Sequence, residues 1–218
     1  MSLLTEWIGW LPQIAPGVLI SLKLTGLSLL IGFPLGLVLA VTAESKFATL
    51  RWISFFIVEI GRGLPALVLL YLLYFSLPEM GVILMSMTTA VAALSWNAGA
   101  YAAEYFRAGL AAVPQGQKEA AVTSGLTGWN GFSLIILPQA LRISTPPLAS
   151  LAVLVFQGSA LAFVIAVPEL MSKAYEISSL SFRYLSVFTL TAVVYGLITW
   201  AFLGLVKLLE MRLNRHMV

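Results

Sequence analysis

Residues 14–42 read IAPGVLISLKLTGLSLLIGFPLGLVLAVT, a run of 29 residues with one charge, Lys23. A helix needs about 20 mostly apolar residues to cross a bilayer, and this run exceeds that length with room for tilt. The rest of the chain has the same character. Of its 218 residues, 60% are hydrophobic and 10% charged, whereas a soluble domain carries roughly 25% charged residues. So little polar surface cannot coat a globule in water, so residues 1–218 read as one membrane domain with lipid as its main solvent.

Four more apolar stretches follow, at about residues 52–77, 82–103 (continuing to about 112), 146–167 and 185–208. The expected fold is an all-α integral membrane protein with five transmembrane helices. An odd number of crossings puts the two ends on opposite sides, and basic residues decide which. Lys46 and Arg51 lie in the first connection, Arg107, Lys118 and Arg142 in the third, and Lys207, Arg212 and Arg215 in the tail. The other side has only Lys173 and Arg183 in its connections. The positive-inside rule then places the N-terminus outside and the third connection and tail in the cytoplasm. Met1 to Gln13 holds one charge, Glu6, with no basic segment before the apolar stretch, unlike a cleaved signal.

Composition excludes several chemistries. There is no cysteine, no aspartate and one histidine, His216. Neither a zinc site nor Ser-His-Asp chemistry can be assembled from these residues, so no catalytic or metal-ligating set is expected. The formal charge of +3 is spread between apolar spans, which suits a juxtamembrane role with lipid as partner and no nucleic acid. No G-x-x-x-x-G-K-[ST] segment is present to cradle nucleotide phosphates, so no cofactor is expected on this chain.

Residues 107–141 differ from the rest, being too polar for lipid yet rich in Ala, Leu and Ile. They suggest short amphipathic helices at the membrane surface. Pro114 can open a helix over residues 115–126, and a second can run over 129–137 until Pro138 limits it. On the first, Ala121 and Gly125 fall one turn apart and offer a small-residue surface, with Glu119 as a charge at its edge. The order is Glu119-Ala120-Ala121, three residues, Gly125, nine residues, then Ile135-x-Leu137-Pro138. This pattern resembles the EAA signature of permease subunits of ATP-binding-cassette (ABC) importers, with every defining position and spacing met.

Further blocks resemble the polar amino acid branch of that family, the histidine, glutamine, arginine and opine importers. They are Arg62-Gly63-x-Pro65, Ala100-Tyr101-x-Ala103-Glu104-x-x-Arg107, Val113-Pro114-x-Gly116-Gln117-x-Glu119 and Leu137-Pro138-Gln139-Ala140-Leu141-Arg142, within about residues 17–169. Leu64 stands where the family usually has Thr. In the fourth span the family's Lys-Asp/Asn-Thr-Ser-Leu is replaced by Gln157-Gly158-Ser159-Ala160-Leu161, so the charged positions there are neutral.

The resemblance implies a type I ABC importer permease fold, with a cytoplasmic two-helix coupling segment at about residues 114–138 between helices 3 and 4. In the family that helix pair sits in a groove of the ATP-binding subunit and transmits its closure. The resemblance assigns this coupling role to Glu119, Ala120, Ala121 and Gly125. It also implies two copies of an ATP-binding subunit that carry ATP and Mg, so that this chain is not itself an enzyme. A second permease, identical or homologous, would complete the pore. An external substrate-binding protein would meet the outward loops around residues 78–81 and 168–184. The implied location is the bacterial inner membrane, and the implied cargo is polar amino acids or related compounds.

Polar groups within spans are costly in lipid and mark places to look for function. Lys23 has a stem long enough to snorkel to the interface. Glu59 and Arg62 are three apart on one helix face and can pair. Gly63 and Pro65 follow, and Pro65 removes the donor for the Gly61 carbonyl, allowing a bend that serves either as a gate hinge or as ordinary kinked packing. Asn97, Tyr101 and Glu104 form one stripe on the third span. Together with Gln157 and Ser159 they are candidates for the substrate pathway, and helix-to-helix hydrogen bonds account for them equally well. Glu104 can instead pair with Arg107. A self-sufficient secondary transporter or channel is the alternative function, but it predicts inverted repeats or broken helices in matching halves, and five spans do not divide evenly. A membrane enzyme would need convergent acid, base or metal groups.

Overall fold

The computed structural model describes residues 3–214; Met1, Arg215 and His216 lie outside the described residues, as does the Arg212 side chain. Nine α-helices account for most of the described chain. They are α1 (Leu3–Ala43), α2 (Ala48–Gly63), α3 (Ala66–Tyr71), α4 (Ser86–Ala112), α5 (Gln115–Thr123), α6 (Gly128–Gly131), α7 (Leu137–Gly158), α8 (Leu170–Ser181) and α9 (Tyr184–Asn214). No strand occurs among the described residues.

Helix α1 begins well before residue 14, and its 41 residues make a rod about 60 Å long at 1.5 Å per residue. It contains Pro12, Pro16 and Pro34. All three prolines lie on the exposed face, so each missing donor falls away from the packed side.

Helix α4 is the central element, lined along α1 and flanked by α2 and α7. The seam with α1 is built from backbone rather than side chains. A Cβ on Gly36 would stand 2.7 Å from the Gly99 carbonyl oxygen, and one on Gly32 would stand 2.9 Å from that of Ser95. Small residues permit such close approach where apolar lipid gives helices little hydrophobic reason to associate. A first core cluster joins Leu24, Leu69, Leu70, Ala90, Leu94 and Ile165. A second joins Ala98, Ala102, Phe106, Leu148 and Leu151.

Among the described residues, three helices are long and apolar enough to cross a membrane, Thr5–Ala43, Gly128–Ile165 and Tyr184–Leu208. The bent pair Ala48–Gly63 and Ala66–Met80 makes a fourth if counted together. The expected second span is thus broken, with its halves at 107°. The break falls at Leu64–Pro65, where proline removes a helix donor and the residue before it is pushed out of the helical region; Leu64 has φ −93° and ψ 137°.

Two sequence expectations are corrected. Pro138 does not end the second surface helix. It follows directly on a π-helical stretch, where the hydrogen-bond ladder changes register, so its missing N–H is tolerated inside a continuing helix. A π-helical stretch, Phe132–Ile136, joins α6 to α7, and residues Gly128–Ile165 run as one 38-residue rod. The stretch 168–184, read as an outward loop, contains the 12-residue helix α8. Its start is fixed by Glu169, whose carboxylate accepts from the backbone N–H groups of Met171 and Ser172.

Candidate functional site

The polar residues of the second and third spans meet at the α2–α3 break. With Pro65 unable to donate, the Gly61 carbonyl loses its helical partner, and Asn97 of α4 supplies one. Its Nδ2 donates to Gly61 O at 2.7 Å. One residue earlier, the Trp96 indole donates to Ile57 O at 2.9 Å. Helix α4 thereby pins the last turns of α2 from the side. Asn97 also lines a cavity of about 270 Å³ with Tyr101, Tyr105, Leu154 and Gly158. Tyr101 and Asn97 therefore line one cavity.

Glu104, the third member of the stripe, has a different role. Arg107 donates to it at 2.6 Å, and Arg62 stands 3.5 Å away on α2. Arg62 is also 3.7 Å from Glu59. Four charges thus form a chain across α2 and α4, with Glu104 shared by two arginines. The i, i+3 pairs were legible from spacing; the cross-helix link from Arg62 to Glu104 was not. Gly63 is exposed, with open space where a Cβ would stand.

Gln157 and Ser159 are not brought to the Asn97 cavity. Gln157 donates to Thr199 of α9 at 3.4 Å. Ser159 is fully buried and donates to Phe156 O at 2.7 Å. Both hydrogen bonds lie within the described bundle.

The stretch between α4 and α7 folds as a helical hairpin, α5–turn–α6. Helix α5 ends in two capping bonds, Gly125 N–H to Val122 O at 3.0 Å and Leu126 N–H to Ala121 O at 2.9 Å. This pairing needs a left-handed residue after the helix, and Gly125 has φ +77°. The expected small-residue helix face is accordingly corrected: Gly125 lies past the end of α5, and Ala121, 5% exposed, packs inward. Glu119 and Ala120 are exposed. Gln115 donates to Glu119 at 3.3 Å. Gln139 of α7 donates to Gln117 at 3.4 Å, tying α5 to the rod.

One polar centre escaped the sequence reading. Glu169 is fully buried. Besides its two backbone donors it accepts from Ser21 of α1 and Tyr195 of α9, each at 3.1 Å. Burial pushes its carboxyl above the usual range, against the lowering effect of the Met171 and Ser172 N–H groups. The available signal was the polar stripe Ser21, Thr25 and Ser28 on α1, at helical spacing in an otherwise apolar run.

Residues 32–215 match the family described as binding-protein-dependent transport system inner membrane component. The chain is 38% identical over 184 residues to the probable amino-acid ABC transporter permease protein YckA of Bacillus subtilis (strain 168), covering 84% of this chain and 81% of that one. It is 36% identical over 206 residues to the L-cystine transport system permease protein TcyB of the same strain, covering 94% and 88%. Among solved structures, it superposes on a chain from an amino acid ABC transporter with histidines at TM-score 0.90 and 33% identity, covering 97% of this chain and 99% of that one. A chain of the inward-facing MetNI methionine ABC transporter shares the fold at TM-score 0.71 and 22% identity, covering 92% and 98%.

Proposed function

Because the chain belongs to the family of binding-protein-dependent transport system inner membrane components, with the type I ABC importer permease fold, we propose that it forms the pathway for polar amino acids or related compounds in an ATP-driven importer. ATP and Mg reside on two copies of a separate ATP-binding subunit, and the hairpin α5–α6 is where those subunits engage. A second permease, identical or homologous, completes the pore. An external binding protein delivers the substrate at residues 78–81 and at α8.

The observation that carries this proposal is the continuity of α6 with α7. A push on an exposed hairpin that ends in a 38-residue rod moves the far end of that rod. Glu119 and Ala120 form the contact surface, while Ala121 and Gly125 hold its shape. The five crossings are α1, the α2–α3 pair, α4, α7 with its extension to Ile165, and α9, all within one domain. Helix α4 counts as a crossing despite Glu104 and Arg107, because those charges pair with protein groups rather than face lipid. With the N-terminus outside, the hairpin is in the cytoplasm of a bacterial inner-membrane protein.

Tyr101 and Asn97 face the route, and the Glu59–Arg62–Glu104–Arg107 chain, with Gly63 and Pro65 as the hinge beside it, is the gate. Gln157 and Ser159 hold the helices that wall the route. In a reconstituted complex with its ATP-binding subunit and external binding protein, ATP hydrolysis is expected to rise with substrate. Tyr101→Ala should shift the substrate concentration for half-stimulation by up to about tenfold, the effect of one lost hydrogen bond at the upper end of its usual range. Hydrolysis that ignores substrate in the wild type would contradict the importer assignment, and a Tyr101→Ala curve overlaying the wild type would remove Tyr101 from the route.

A further inference from the structure

A larger cavity, of about 580 Å³, lies between α2 and α4 with the last turns of α1 behind it. Its size is in the range of ligand-holding clefts. The walls are apolar, formed by Leu39, Ala43, Phe55 and Val58, and three arginines and two glutamates also line it. Both glutamates are within ion-pair distance of Arg62, and Glu104 of Arg107 as well. Arg51 is different. Among the described residues no carboxylate comes within ion-pair distance of it, and its guanidinium donates to the Ser45 backbone carbonyl at 3.2 Å. Glu44, beside the cavity, acts electrostatically on Arg107, which leaves Arg51 as the lining arginine with no ion-pair partner among the described residues.

The surroundings suit a lipid. Trp52, Phe55 and Phe56 cluster beside Arg51, two of the pairs edge to face, with ring centroids 5.7–6.0 Å apart, and all three are at least half exposed. Tryptophan gathers at membrane–water interfaces, and Arg51 lies in the first turn of α2, next to the connection with Lys46. Basic pockets between helices at that depth take anionic headgroups. We infer that this cavity holds an anionic phospholipid of the leaflet at which α1 ends and α2 begins, its phosphate on Arg51 and an acyl chain against Leu39, Ala43 and Phe55. A free phosphate would leave the apolar walls uncovered. The site shares its polar lining with the Glu59–Arg62–Glu104–Arg107 chain, but its test reads lipid retention and does not depend on the transport proposal.

The full chain in nanodiscs of equal phosphatidylglycerol and phosphatidylcholine with matched chains, read by native mass spectrometry, tests this. Phosphatidylglycerol should be retained in excess. Arg51→Gln should lower that retention about fivefold, the effect of one basic residue near an anionic leaflet, and Arg51→Lys should preserve most of it. Ala43→Phe, which fills the cavity and leaves the charge, should also expel the lipid. Glycerol phosphate, having no chains, should leave it bound. Equal retention of the two lipids, an unchanged Arg51→Gln profile, or displacement by glycerol phosphate would each overturn the assignment.

Discussion

Replacing Gly125 by arginine is expected to abolish co-purification of the ATP-binding subunit while the chain stays in the membrane. Gly125 sits at φ +77°, a conformation that costs an L-residue roughly 1–2 kcal/mol. Space is not the obstacle, since nothing lies within 4 Å of where its Cβ would be. The damage is therefore to the two capping bonds that close α5, and with them to the angle between α5 and α6. Arginine adds bulk at the exposed turn. Asparagine, which visits the left-handed region more readily, should retain most of the binding, and alanine should fall between the two. The apolar spans are untouched, so membrane insertion should be normal. A Gly125→Arg complex that assembles and transports would remove the hairpin from the coupling role.

The second large effect is expected at Asn97. Truncation to alanine leaves the Gly61 carbonyl without a donor at a break where Pro65 cannot supply one. A buried acceptor left unsatisfied costs about 1–3 kcal/mol, visible as a lower melting temperature in detergent. Pro65→Ala restores a backbone N–H four residues after Gly61. The double variant Asn97→Ala/Pro65→Ala should therefore recover part of the stability lost by Asn97→Ala, a non-additive pair in the sense of a double-mutant cycle. Additive losses would show that Asn97 acts through the cavity it lines and not through the carbonyl.

Legibility in the sequence followed the range of each interaction. Apolar runs, the surface segment and the Gly125 spacing are local patterns, and each could be read from neighbouring residues. The orphaned Gly61 carbonyl was also legible, because Pro65 is only four residues away. Its partner was not, since Asn97 lies 36 residues further on and only packing brings the two together. The same holds for Glu104 and Arg62, and for Glu169, whose side-chain donors come from α1 and α9. Helix α8 was missed although Leu170, Ala174 and Ile177 recur at i, i+4 and i+7, because its 12 residues and polar face made the stretch read as a connection between spans. Pro138 misled for a different reason: proline usually ends a helix from inside, but here the π-helical turn before it takes up the missing hydrogen bond, and such a turn leaves no clear mark in the sequence.

The chain has no cysteine, so Ala120→Cys would introduce a single thiol on the exposed face of α5. In intact spheroplasts that thiol should resist a membrane-impermeant maleimide, react with it in inverted vesicles, and crosslink to the ATP-binding subunit in the assembled complex. Rapid labelling from outside the spheroplast would put the hairpin on the wrong side of the membrane and contradict its role as the coupling element.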